Sequence, residues 1–442
     1  MDWLANDDYA ASTESGPRFN DWQDKLLVDL STGIEPKPTN WSFIWGLRKI
    51  CRSNECLHRV MNGLGSEAPS IATPGFKAKK PAVYKKYLQD AYGMAAGTPS
   101  AEDGATGLSR FSPEIYLTFI YLVTLYHIRF GNDARKVTQD TANFQYCLRE
   151  FDRRLVPHIL PSRSEDWPES RYSGVLNRLA FEMIKLDIAA RTFDLQGDLL
   201  KRPWSDPRYL GTYTEFFERS QYAAYELWGP GVYPLEETQD DLETGRAQSL
   251  HAWATYKRYE ITVLRHDIES GLACDLEIDR LYCAFLEYVT HMQLIHFAMR
   301  ETSEGANVRL IAWVRCAVAH FNAAILDFHC TAYPDRDPLP SNLARNALDG
   351  IIVIALKLHE SDDVAALMRI AWPLLVAGLE TRAPLHQEWI LDRYASLAEL
   401  GTNFARASAC LRYVIERQRN GEPRLDFRVL VKNKILEPFV LL

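Results

Sequence analysis

The chain has 442 residues, 47% of them apolar and 12% aromatic, which is enough to bury a large core, and its formal charge is −8. A protein that neutralises many nucleic-acid phosphates over one face needs a basic stripe, so the acidic balance argues against that class. Eight cysteines without a CxxC pair or a dense cluster exclude a disulfide-stapled scaffold. With no secretory leader in view, the expectation is a reduced, cytoplasmic protein.

Residues 1–40 are polar, acidic and broken by Gly and Pro, which predicts a flexible arm with too little apolar surface to offset its ordering entropy. One all-α domain is predicted from 41 to 442. Its first helical pattern is Trp41–Leu64, with Phe43, Leu47, Ile50, Leu57, Val60 and Met61 at helical spacing. Residues 63–108 then form a loop-rich excursion or lid interrupted by Val83–Met94. It contains the basic cluster Lys77–Lys86, an import signal in one reading and a solvated lysine-rich loop in the plainer one.

From Phe111 the pattern is helical nearly throughout. Predicted helices are Pro113–Arg129, Arg135–Leu155, Arg171–Phe193, Tyr213–Trp228, Ala247–His266, Glu277–Arg300, Val308–Tyr333, Ala344–His359 and Asp362–Leu379. Pro and Gly breaks such as Pro203, Pro207 and Gly229-Pro230 separate them, and no sustained period-2 alternation competes. No run of about 18 apolar residues is found, so no membrane span is expected.

The C-terminal stretch is the most legible. Pro384 suits a first helical turn, and Ile390, Tyr394, Leu397 and Ala398 share one face until Gly401. Thr402 is expected to cap a second helix whose stripe is Phe404, Ala407, Leu411 and Ile415, closed by Asn420-Gly421. An antiparallel helix pair follows. In this stretch Trp372-Pro373-Leu374-Leu375, Ala377-Gly378, Glu388-Trp389-Ile390-Leu391 and Asn403-x-x-Arg406-Ala407 together resemble the C-terminal part of the fungal-specific transcription factor domain. Weaker similarity extends over 110–442 and includes the run Leu186–Phe193. The resemblance implies a helical scaffold that follows a zinc-cluster DNA-binding module and has no shared catalytic signature.

A zinc cluster of that kind needs six closely spaced cysteines, and Cys51 and Cys56 are the only near pair. Sequence-specific DNA binding by this chain alone is therefore not expected. There is no P-loop, dinucleotide fingerprint, HExxH or GxSxG. His291 and His296 are five apart and miss the face that two helical metal ligands would share.

The sharpest charged constellation is Glu236, Glu237, Asp240, Asp241 and Glu243, followed by Arg246. On a helix from Pro234, Glu236, Asp240 and Glu243 fall at i, i+4 and i+7 and present carboxylates to one side. Carboxylates of this kind hold Mg²⁺ together with substrate phosphate oxygens. Asp240, Asp241 and Glu243 are the predicted metal ligands, Arg246 the predicted leaving-group cation, and Lys257 a second cation beside the Trp253 face, with a snorkelling lysine as its plainer reading. Glu243 and Lys257 are 14 residues apart. On one straight helix they would stand about 21 Å apart, so either Gly245 breaks the segment or Lys257 acts from farther along. The plainer reading of the acids is a solvated first turn that suits the helix macrodipole. On the helix Val175–Phe193, Glu182 with Lys185 and Asp187 with Arg191 are spaced to pair with each other.

Two functions follow. In size, helical content and aromatic richness the chain is similar to the humulene-type sesquiterpene cyclases of fungal secondary metabolism. That resemblance implies a Mg²⁺ cluster and an essential lysine that ionise farnesyl diphosphate, a prenyl diphosphate. The alternative is a regulator or interaction protein built on the transcription factor domain, nuclear rather than cytoplasmic. A homodimer is compatible with both.

Overall fold

The computed structural model describes residues 41–53, 174–194, 217–229, 231–291, 293–298, 307–334, 341–360, 364–422 and 424–442, together with residues 27, 34, 118, 121, 122, 124, 125 and 128. The predicted arm, the 63–108 excursion with Lys77–Lys86 and the helix Arg135–Leu155 lie outside these residues, apart from two positions of the arm. Only isolated positions of the helix Pro113–Arg129 fall within them, and the side chains of His291 and His296 do not.

The fold is all-α, and no strand occurs among the described residues. In chain order the helices are α1 (Phe43–Gly46), α2 (Arg48–Ser53), α3 (Gly174–Thr192), α4 (Ala223–Trp228), α5 (Leu235–Glu269), α6 (Asp275–His291) and α7 (Gln293–Ala298). Then come α8 (Val308–Ala332), α9 (Asn342–Glu360), α10 (Val364–Arg369), α11 (Ala371–Glu380), α12 (Pro384–Ala398), α13 (Thr402–Arg419) and α14 (Phe427–Lys432).

Helix α8 is the core. Asn307 caps it, its side-chain oxygen accepting from the backbone N–H groups of Arg309 and Leu310. Val314 through His329 are buried without a break, so this helix has no solvent stripe and is enclosed by its neighbours. Its length and hydropathy would suffice to cross a membrane, but 83% of its most apolar window is covered inside the fold. It packs most extensively on α5, then on α9 and α11.

Several boundaries differ from the sequence reading: α5 begins at Leu235 rather than Ala247, the predicted Glu277–Arg300 is α6 and α7, and two further differences lie in the C-terminal region. The segment Asp362–Leu379 is two helices, α10 and α11, parted at Ile370. Pro373 explains the break: it has no N–H for the Arg369 carbonyl four residues back, and its ring would collide with that carbonyl in a continuous helix. Thr402 does not cap α13. It is the first helical residue, and Gly401 holds the capping position. The α12–α13 pair otherwise forms as expected, with Ile390, Tyr394, Leu397, Ala407, Leu411 and Ile415 buried between them and Gly421 closing the turn at φ 79°.

Motif residues of the C-terminal region hold these helices together. A Cβ at Gly378 would lie 2.8 Å from Leu411 Cδ1 and 3.1 Å from Ile390 Cγ2, so this glycine sets how closely α11 approaches the pair. Asn403 Oδ1 accepts from the Val440 N–H at 3.0 Å, and Arg406 donates to the Pro438 carbonyl at 3.2 Å. Thr192, at the end of α3, accepts from Arg258 at its hydroxyl (2.7 Å) and from Arg428 at its carbonyl (2.9 Å). Phe193 packs against Phe427 and Phe439.

At the centre of this joint Asp327 on α8 receives Arg428 from α14 and Arg265 from α5, the latter at 3.3 Å, all three buried. Burial works to raise the Asp327 carboxyl, but the guanidinium groups of Arg428 and then Arg265 outweigh it and hold it below its ordinary value.

Candidate functional site

Helix α5 carries both candidate regions. It runs unbroken from Leu235 to Glu269, so Gly245 does not fold the acids back toward Lys257. The two remain about four turns apart on one rod.

At its N-terminal end the carboxylates meet the start of α8. Arg309 donates to Glu237 at 2.6 Å and to Asp240 at 3.3 Å. The Asn307 amide donates to Glu243 at 2.9 Å and to Asp240 at 3.3 Å. The Tyr233 hydroxyl donates to Asp241 at 2.7 Å, and Gln239 donates to Glu243 at 3.1 Å. Glu237 and Asp240 are buried, while Glu236, Glu243 and Arg246 are exposed. The acids do not present three carboxylates to one open side. Two of the predicted metal ligands, Asp240 and Glu243, converge on Asn307, whereas Asp241 turns to Tyr233. Acids beside the N-terminus of α8 also suit its macrodipole.

Lys257 is buried, not snorkelling. It pairs with Glu260 at 2.5 Å and lies 5.1 Å from the centre of the Trp253 ring, the aromatic contact expected from their spacing. Arg280 on α6 shares Glu260 at 2.7 Å. Lys257 thus belongs to the α5–α6 contact.

A cleft opens farther back along α5, between α3, α5, α8 and the α10–α11 break, with about 670 Å³ of space continuous with solvent. Its wall is cationic. Arg178 and Lys185 of α3, Arg258 of α5 and Arg369 stand against Glu182, which accepts from Arg178 at 2.8 Å and from Lys185 at 2.7 Å. The expected Glu182–Lys185 pair is therefore present, with Arg178 added. Arg258 lies 3.9 Å over the Trp372 ring, and burial lowers its guanidinium to about 9.

Inside the cleft His251, Cys316 and His320 bring one donor atom each within 4.8 Å of the others. The two imidazoles meet edge to face at 4.5 Å between ring centres. The Arg369 carbonyl, left without a helical donor by Pro373, lies 2.8 Å from His320 Nε2. A carbonyl only accepts, so Nε2 carries the proton and Nδ1 holds the lone pair in the neutral ring. The Cys316 thiol points at the same carbonyl, at 3.8 Å. Burial drives His320 down to about 3, and burial followed by the charges of His320, Lys185 and Arg178 holds His251 well below its ordinary value. Both rings are neutral at physiological pH. Burial raises the Cys316 thiol to about 11.

This trio was missed in the sequence, although part of its signal is there: Cys316 and His320 are spaced i, i+4 on a strongly helical segment. His251 lies 65 residues earlier, and only the α5–α8 packing supplies it.

Residues 291–439 match the family model of the fungal specific transcription factor domain. The matched stretch is a third of the chain and runs from the end of α6 to the C-terminal segment, which makes it the part that contains α8 and most of the core. Within the matched stretch Trp372 covers Arg258, Pro373 frees the Arg369 carbonyl, Gly378 permits close packing, and Asn403 with Arg406 fastens the terminus. Several of the motif residues that carry the family likeness thus have a packing role, while Glu388 stays exposed. No curated protein and no solved structure matches the chain. Nothing in these comparisons supports the humulene-type cyclase resemblance.

Proposed function

We propose that the chain is a regulatory or interaction region of the fungal transcription factor type, acting in the nucleus. The observation that carries this reading is the family match across residues 291–439, which falls on the core helix and the elements packed around it. The chemistry agrees with it. A diphosphate-ionising enzyme needs carboxylates open to metal and a cation nearby. Here Asp240, Asp241 and Glu243 are engaged by Arg309, Asn307 and Tyr233, Arg246 stays exposed to solvent, and Lys257 sits about four turns away against Glu260. No cluster of six cysteines is present in the chain, so DNA contact would come from another module or partner.

The test has two arms. Fused to an unrelated DNA-binding module, the full chain should change transcription from a reporter carrying that module's site. Incubated with farnesyl diphosphate and Mg²⁺, it should release no cyclised hydrocarbon. A silent fusion together with a sesquiterpene product would return the reading to the enzyme.

A further inference from the structure

The cleft trio has features that a helix joint does not require. His251 comes from α5 and Cys316 and His320 from one face of α8, so the two longest core helices deliver three nitrogen and sulfur donors to one point. His320 is held by its Nε2–H to the Arg369 carbonyl, the outer contact that fixes the tautomer and orientation of metal-binding histidines. The ring of His251 has contacts with Trp313 and His320, and among the described residues it forms no hydrogen bond that would occupy its nitrogens. The cleft reaches all three side chains, leaving one side open.

We propose that His251, Cys316 and His320 bind a transition-metal ion of Zn²⁺ type, with a fourth coordination position facing the cleft. Zn²⁺ takes imidazole nitrogen at about 2.0 Å and thiolate at about 2.3 Å, and three-ligand protein sites of mixed Cys and His keep an open position. Tetrahedral ligands at those lengths stand about 3.3–3.5 Å apart. A spread of 4.8 Å therefore closes by about 1 Å through side-chain rotation, without movement of either helix. On binding, the Cys316 S–H bond breaks, its proton passes to solvent, and the S–metal bond forms.

The electrostatics decide which ligand matters most. Arg178, Lys185, Arg258 and Arg369 surround the cleft, with Glu182 as the acid among its lining residues. A dication entering this cationic setting needs the negative charge of the thiolate, so the site depends on Cys316 more than on either histidine. A softer ion such as Cu⁺ would meet the same demand.

Co²⁺ titration of the metal-stripped full chain, followed by optical absorption, tests the assignment. One equivalent should give the visible bands of a tetrahedral ion and a near-ultraviolet thiolate-to-cobalt charge-transfer band, and Zn²⁺ should displace it. Cys316→Ser should abolish the charge-transfer band and weaken Zn²⁺ binding by at least about a hundredfold, beyond the range of an outer-shell contact. His251→Ala should keep the thiolate band but weaken binding by a smaller factor, and Cys283→Ser, at an exposed cysteine on α6, should change nothing. His251 is only partly buried, so its variant stays informative if changes at buried Cys316 or His320 impair folding, which circular dichroism reports. No thiolate band in the wild-type protein, or wild-type Zn²⁺ affinity in His251→Ala, would overturn the site.

Discussion

The two ends of the α5–α8 interface differ in how their polar atoms are used. At the N-terminal end five acids in eight residues make the densest run of acids in the chain, and Glu237, Asp240, Asp241 and Glu243 are each met by a partner from α8 or the local turn. Two turns or so farther along α5, a lone histidine in an unremarked stretch meets a cysteine and a histidine of α8 and, among the described residues, forms no hydrogen bond at its ring nitrogens. Charge density in the sequence thus points to acids whose partners lie on α8 and the local turn, while the proposed metal site lies where side chains from distant segments converge. The difference is one of satisfaction: a saturated cluster holds helices together, and an unsaturated one can bind.

The strongest way to sharpen this contrast is at Asp327, a saturated site at full burial. Asp327→Ala leaves Arg265 and Arg428 as buried charges without their anion and should cost about 3–5 kcal/mol in urea unfolding. The same group sets an acid limb. Its carboxyl is depressed in the fold, so its stabilisation is complete above the unfolded value near 3.8 and is lost as pH falls through the lower folded value. Wild-type stability measured against pH should therefore drop more steeply below pH 3.8 than that of Asp327→Asn.

Gly378→Ala comes next. The added methyl would press on Leu411 and Ile390 and should destabilise by about 1–3 kcal/mol, seen as a lowered denaturation midpoint with unchanged slope. A neutral outcome would mean that α11 shifts freely on the α12–α13 pair.

Arg309→Ala probes the acidic joint itself. Arg309 is about a third exposed, so solvent screens its pairs with Glu237 and Asp240, and the loss should be about 1 kcal/mol. Arg246→Ala, at an exposed position on the same helix, should stay within about 0.5 kcal/mol. If the order of these two were reversed, Arg246 and not Arg309 would be the cation that serves the acids.

Much of the fold could be read from periodicity. The α12–α13 pair followed from Pro384, Gly401 and the spacing of Ile390, Tyr394 and Leu397, because local pattern and burial agree there. The Glu182–Lys185 and Trp253–Lys257 contacts followed from helical spacing alone. What depended on distant partners did not follow. Arg309 lies 72 residues from Glu237, and nothing between them announces the pair. The α10–α11 break was written in Pro373, but its apolar neighbours hid it within a continuous stripe. His251 looked like one residue of an amphipathic helix until α8 was laid beside it.

Thermal melting of the wild-type chain with and without millimolar Mg²⁺, alongside Asp240→Asn/Glu243→Gln, tests most directly whether the acidic end is a joint or a metal site. A ligand that binds only the folded state raises its melting temperature. The account predicts no Mg²⁺-dependent rise in either protein, with the double variant melting lower in both conditions because Arg309 loses one of its two anionic partners and the Asn307 amide donates to neutral rather than charged acceptors. A Mg²⁺-dependent rise in the wild type that the double variant abolishes would contradict it.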